Sequence, residues 1–221
     1  MRAKTEDYIS LPGAVSQAFQ QGLSPRDAFE LLKNGHNRFK KGDKLSRNRV
    51  QLLADAAGGQ YPYAAVLGCI DSRAPIEEVF DANIGDLFVA RVAGNTVNGD
   101  LLGSLEYACK FAGSKLLVVL GHSQCGAIRG AWDGVEHGHI TGLLNRLQPA
   151  VQQVKTSRGD EPSPENLNAC VEVNVNQVID RIRKESSTLA EMEKNGEIAI
   201  VGGVYHVDKG QVVFSNIPNG W

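Results

Sequence analysis

From Tyr63 onward the chain alternates short, uniformly apolar runs with segments whose apolar residues recur every three or four positions. The runs are "YAAVLGC" (63–69), "LFVARVA" (87–93), "KLLVVLGH" (115–122), "EIAIVGGVYHV" (197–207) and "QVVFSNI" (211–217). A strand covered by helices on both faces has no polar side to show, so these runs predict buried parallel strands. The segments between them read as helices. In 74–82, Pro75 precedes Glu77 and Glu78, acids that the dipole favours in a first helical turn. In "DLLGSLEYACKFAG", Leu101, Leu105, Ala108 and Ala112 share one face, and Gly113 stops the pattern. Leu167, Val171, Val175, Val178 and Ile182 repeat at helical spacing. The local "VEVNVN" alternation would suit a strand, but the length of the pattern decides for helix. Thr188 with Glu191 predicts a capping box opening one more helix, which Gly196 closes.

Residues 1–60 carry no strand signal and read as a helical arm in front of the sheet. Within it, "LSPRDAFELLKNGHNRFKKGD" predicts a helix capped by Ser24, begun by Pro25, facing inward through Ala28, Leu32 and Phe39, and ended by Gly42. The polar stretch "RGDEPSPEN" reads as a surface loop, and no internal repeat is present. A length of 221 residues favours one domain, the arm belonging with a core over 61–221. Alternating strands and helices predict an open α/β sheet whose ligand site lies beyond the strands' carboxyl ends, where the strand order reverses.

Composition narrows the choice of partner. With 23 basic against 25 acidic side chains, the chain has no electrostatic footprint for nucleic acid or a membrane surface, so a small-molecule substrate is expected. No apolar run approaches a membrane span. The first residues lack a continuous apolar leader, interrupted as they are by Pro12, Gly13, Ser16 and Gln17, so a cytoplasmic location is the default, with a periplasmic one open if a leader was removed. The four cysteines, at 69, 109, 125 and 170, form no C-x-x-C pair and no disulfide framework, which leaves metal binding or packing.

Two strand ends carry chemistry: "GCIDSRAP" (68–75) and "GHSQCGAIRG" (121–130). Cys69 ends the first core strand; His122 and Cys125 follow the third, 53 residues on. Parallel strands share one carboxyl edge, so the three can converge. Two thiolates and an imidazole select zinc, and three protein ligands leave a fourth position open. Each piece alone has a plainer reading: a strand-end cysteine as a small buried hydrophobe, the second stretch as a tight turn. A serine nucleophile is set aside, because G-x-S-x-G needs a glycine where Cys125 stands. Asp71 is close enough in sequence to reach the same metal, and Arg73 is placed to pair with its carboxylate. On the metal, Asp71 would close the site; held by Arg73, it would leave the site open to water. A helix-capping Asp beside an incidental Arg remains the structural alternative.

C-x-D-S-R followed some fifty residues later by G-H-x-x-C-G resembles the β-class carbonic anhydrases, as do "RVAGN" (91–95), "GSLEYA" (103–108) and "GGVYHVDKG" (202–210). The resemblance spans roughly 24–217. It implies one zinc per chain on Cys69, His122 and Cys125, with Asp71 and Arg73 as a catalytic dyad that can also close the site. It implies four parallel strands plus one added strand, and a homodimer whose N-terminal arm wraps the partner, with tetramers common. The implied reaction is reversible hydration of carbon dioxide to bicarbonate and a proton through a zinc-bound hydroxide. Two thiolates neutralise the metal's formal charge, so activity should rise toward alkaline pH. Carbonyl sulfide or carbon disulfide hydrolysis, or a catalytically silent zinc scaffold, are the competing readings. One position departs from the family. Some members carry a Trp that forms an inhibitory bicarbonate site with an Arg and a Tyr; the matching positions here are Val66, Arg91 and Tyr205, so no bicarbonate-driven closure of that kind is expected.

The remaining candidates read as structural. His137 and His139 belong to a solvated loop, His36 packs on the arm helix, and His206 follows a strand end without an identifiable partner. Cys109 and Cys170 pack inside helices. "RIRKE" (181–185) is a solvated helix face. Cys125 is expected near a helix start, where the dipole favours thiolate, and Gly126 where backbone comes close to the metal.

Overall fold

The computed structural model describes residues 5–9, 11 and 13–221. Pro12, and with it part of the leader argument and of the arm, lies outside the described residues. The arm is helical: α1 (Thr5–Ile9), α2 (Gln17–Gly22), α3 (Pro25–Lys41) and α4 (Arg49–Ala56). The α3 ends are those the sequence predicts. The Ser24 side chain accepts from the Asp27 N–H while Asp27 accepts from the Ser24 N–H, Pro25 begins the helix, and Gly42 ends it at φ 69°.

The sheet order is β2-β1-β3-β4-β5, from β1 (Ala64–Gly68), β2 (Leu87–Arg91), β3 (Leu116–His122), β4 (Ala199–His206) and β5 (Gln211–Ser215). The first four run parallel, and β5 pairs antiparallel with β4. Between the strands lie α5 (Ile76–Val79), α6 (Gly99–Glu106), α7 (Gly126–Trp132), α8 (Gly138–Leu144), α9 (Gln148–Arg158), α10 (Pro164–Glu185) and α11 (Ser187–Lys194). Every residue of β1 and β3 is buried. Alternate residues feed two cores: Ala65, Leu67, Leu117 and Val119 face α6, α9, α10 and α11, while Ala64, Val66, Leu116 and Val118 face α3, α5 and Tyr8 of α1. Helices on both faces are the reason these strands read as unbroken apolar runs. At Gly121 a Cβ would lie 2.7 Å from Val171 and 2.9 Å from Val175, so the bare glycine lets α10 lie close against β3.

Several expectations are corrected. β2 was expected to be buried on both faces, but it is an edge strand and is only half-buried. Leu105 and Ala108 face inward as expected, joined by Leu102 and Cys109, while Leu101 and Ala112 are only half-buried. Asn98 caps the helix at Leu101, and a widened π-turn over Tyr107–Phe111 inserts a residue into the repeat. α11 is capped by Ser186, whose oxygen accepts from the Leu189 N–H, not by Thr188. His137 caps α8 and His139 lies within it, so the expected loop is a short helix whose histidines are exposed. In "RIRKE", Arg183 makes a two-pronged bond to Glu193 at 2.8 Å, tying α10 to α11. In the arm, Tyr8 is buried and donates to Asp86 at 2.5 Å. Among the described residues no helix is long and apolar enough to cross a membrane.

Candidate metal centre

β1 sits between β2 and β3, so the chain leaves β1 to one side for β2 and appears on its other side as β3. The strand order reverses there, and that is where an open α/β sheet places its ligand. Cys69 follows β1 directly and His122 ends the adjacent β3. A left-handed residue, Gln124 at φ 57°, then turns the chain so that Cys125 becomes the first residue before α7. The ligand atoms of Cys69, His122 and Cys125 all lie within 4.8 Å of one another, and all three residues are buried. Zinc–sulfur bonds of about 2.3 Å in a tetrahedron set the ligands about 3.8 Å apart, so the group needs only a small contraction to hold the ion.

The histidine is prepared for such a role. Nδ1 lies 2.9 Å from the Ser123 carbonyl, which can only accept, so Nδ1 carries the proton. Nε2 is then a bare lone pair, buried and, among the described residues, without a hydrogen-bond partner. A buried acceptor left open in this way is costly unless something else satisfies it, and a cation does so. Ser123 is itself fixed: its N–H donates to the Tyr205 carbonyl and its Oγ accepts from the Val207 N–H at 3.0 Å.

The two thiols divide one proton unequally. A hydrogen bond from Cys125 holds the Cys69 thiol well below the usual thiol range against the opposing effect of burial, with help from His122 and the Gly94 N–H. Cys125, as the donor and buried, is pushed up. The pair therefore titrates jointly, one thiolate forming readily and the second needing a positive charge. Burial disfavours imidazolium at His122, yet the neighbouring Cys69 sulfur outweighs it and raises the value. A divalent cation would replace the proton that the two thiols share and satisfy the open Nε2.

Asp71 stands beside this group, with Oδ2 3.8 Å from His122 Nε2. Arg73 holds it back. Nε donates to Oδ1 at 3.0 Å, Nη2 to Oδ2 at 2.8 Å, and the Arg73 N–H to Oδ1 at 2.9 Å. These bonds keep the Asp71 carboxyl down at about 2, outweighing its partial burial. The guanidinium also reaches Gln124, at 3.4 Å to Oε1 and 3.2 Å to the carbonyl oxygen.

The sequence thus brings all five predicted residues to one place, but it did not disclose what surrounds them. Arg91 donates to the carbonyls of Cys69 (2.8 Å) and Asp71 (2.7 Å), bracing the turn between them. Val66 is fully buried in β1. The backbone that closes on the cysteine belongs to Gly94, whose N–H lies 3.3 Å from Cys69 Sγ. A Cβ at Gly126 would meet no atom of the protein within 4 Å. "RVAGN" carried a signal for Gly94, a glycine just past a strand end.

Known proteins place this arrangement. The family model described as carbonic anhydrase matches residues 64–212. Carbonic anhydrase 2 of Mycobacterium tuberculosis is 34% identical over 199 residues, spanning 86% of this chain and 92% of its own. The carbonic anhydrase of Mycolicibacterium smegmatis is 32% identical over 198 residues, with 86% and 92% covered. Among solved structures, one from a study of two tetrameric β-carbonic anhydrases of Sordaria macrospora superimposes with a TM-score of 0.71 at 24% identity, covering 86% of this chain and 96% of its own. The β-carbonic anhydrase CafA of Aspergillus fumigatus gives 0.70 at 23% identity, covering 86% and 89%. The mainly parallel five-stranded sheet is the fold shared with these structures. The chain belongs to the β-class carbonic anhydrase family.

Proposed function

We propose that this enzyme hydrates carbon dioxide reversibly to bicarbonate and a proton, with one zinc per chain held by Cys69, His122 and Cys125. The observation that carries the reading is the unpartnered, buried Nε2 of His122, facing two thiols while Asp71 is held 3.8 Å away by Arg73. When bound, the zinc supplies Lewis acidity that makes water a nucleophile near neutral pH.

The chain's own residues do the rest. Ser123 and the β3–β4 pairing fix the imidazole in one tautomer and orientation. Asp71, ionised at every working pH, accepts a hydrogen bond from the attacking water and orients its lone pair toward the carbon of the substrate. Arg73 keeps that carboxylate out of the fourth ligand position, and Arg91 fixes the turn that carries it. The proton leaves to solvent, on which side Asp71 and Arg73 stand partly exposed. We infer further that the working unit is a homodimer, because the open edge of β2 borders a groove of about 630 Å³ flanked by the exposed rings of Tyr107 and Phe111.

The test is stopped-flow carbon dioxide hydration by zinc-loaded protein between acid and alkaline pH, beside Asp71→Asn. Activity that climbs with pH and falls by about 100-fold or more in the variant is expected. Inactivity at alkaline pH would redirect the search to carbonyl sulfide and carbon disulfide, and equal rates in the variant would remove Asp71 from the mechanism.

A further inference from the structure

We propose that Asn174, on α10, is a positioning residue for the metal centre: it fixes Gly94 so that the Gly94 N–H stays on the Cys69 sulfur. The inference rests on the reading of Cys69 as a zinc ligand, and deepens it by naming what tunes that ligand.

α10 presents Val171, Val175 and Val178 to the sheet, and among these apolar residues Asn174 is 2% exposed. An amide in such a place costs stability unless it is hydrogen-bonded. Its Nδ2 donates to the Gly94 carbonyl at 2.9 Å. On its other side Gly94 donates its N–H to Cys69 Sγ at 3.3 Å. Both polar groups of one glycine are therefore committed, one to the helix and one to the ligand.

Gly94 needs such a restraint. It adopts φ 70°, ψ 18°, and a Cβ there would lie 2.8 Å from Leu147, so no other residue fits. Glycine is also the residue with the widest conformational latitude, and nothing intrinsic to it holds the N–H in one direction. The adjacent turn, closed by the Asn95 N–H to the Val92 carbonyl at 2.9 Å, sets the entry to this loop. Asn174 sets its exit. An N–H donated to a thiolate draws charge from the sulfur and stabilises it in the ionised form that binds metal. Partners of this kind, one bond removed from a ligand, orient it and set its donor strength.

The experiment uses the full-length protein loaded with zinc, and in parallel with cadmium-113 for nuclear magnetic resonance. In the unsubstituted protein the Gly94 amide proton should show scalar coupling to the metal through the Cys69 sulfur. Asn174→Leu, alike in branching but larger, and Asn174→Ser, smaller, are compared with Asn176→Ala, which alters the exposed side of the same helix. The two Asn174 variants should lose the coupling and bind zinc roughly 10-fold more weakly in chelator competition, with cooperative melting retained in at least one. Asn176→Ala should change neither. No coupling in the unsubstituted protein, or unchanged coupling and affinity in a folded Asn174 variant, overturns the proposal. Failure of the zinc reading looks different: the unsubstituted protein would take up no metal, or Cys69→Ala would take up as much.

Discussion

Arg73 decides which of two things Asp71 does. The carboxylate lies one side-chain swing from the metal position, 3.8 Å from His122 Nε2, and three hydrogen bonds from Arg73 hold it off. With its pKa lowered to about 2 by that pairing, Asp71 is charged in the folded protein well below the value of about 3.9 it has when unfolded. The pairing therefore stabilises the fold fully above that unfolded value and loses its effect only as pH falls toward 2. In Arg73→Leu only the backbone N–H of residue 73 still holds the charged Asp71 back from the metal position. The expected outcome is retained zinc with carbon dioxide hydration reduced by about 100-fold. Arg73→Lys should recover only part of the rate, since an ammonium cannot form the two-pronged bond. Zinc content measured beside the rate checks this, and a fully active Arg73→Leu would refute it. The five residues of this centre could be read from two short stretches because residue type and local spacing carry the chemistry. Their supports could not. Arg91, Gly94 and Asn174 reach the site across 20 or more residues of chain, and a lone Asn on an apolar helix face gives no sign of what it bonds.

Among the elements, α3 is anchored through a buried histidine. His36 lies 3.1 Å from the Val79 carbonyl through Nδ1, and Nε2 accepts from the Val212 N–H at 2.9 Å, so the ring is neutral and joins the arm to α5 and β5. Burial lowers its pKa from the usual 6.5, more than the Val79 carbonyl restores it. The unfolded chain then takes up a proton before the folded one as pH drops below about 6.5, and stability is lost in that window. His36→Gln offers one donor and one acceptor but does not titrate. Its urea midpoint should fall less than that of the unsubstituted protein between pH 7.5 and 5.5; parallel slopes would show that His36 does not sense the change. Strong periodicity and capping residues made α3 legible in advance, almost to the residue; periodicity showed that α10 exists but not where it starts, since Ser163 caps it and Pro164 begins it inside the stretch read as loop. At the end of the α6 pattern Cys109 is buried where Ala112 was expected, because a π-turn over Tyr107–Phe111 adds a residue that no 3.6-residue repeat anticipates. Ser186 displaced Thr188 as cap because its hydroxyl also donates to Glu106 at 2.5 Å, a contact made only once the chain has folded.

At the scale of the whole molecule, the apolar runs announced a parallel sheet covered on both faces, and one run misled. β2 is as apolar in sequence as its neighbours, yet it lies half-exposed at the edge of the sheet, with no strand among the described residues beyond it. Its Phe88 stacks edge-on against Tyr107, and Tyr107 against Phe111, giving a row of rings whose outer members are 56% and 80% exposed. Long apolar edges are rarely left to water in soluble proteins. A second copy of the chain covering this edge accounts both for the composition of β2 and for its exposure in one chain, a pattern the sequence cannot distinguish from burial within it. Tyr107→Glu combined with Phe111→Glu places charge on the exposed rings without touching the metal residues. Sedimentation velocity should show a dimer for the unsubstituted protein and a folded, smaller species for the variant. Because the groove opens along the strand that ends at Arg91, the brace of the Cys69–Asp71 turn, the dissociated form should lose carbon dioxide hydration together with its partner. A variant that stays dimeric would place the interface elsewhere, and a monomer with full activity would show that each chain completes its own site.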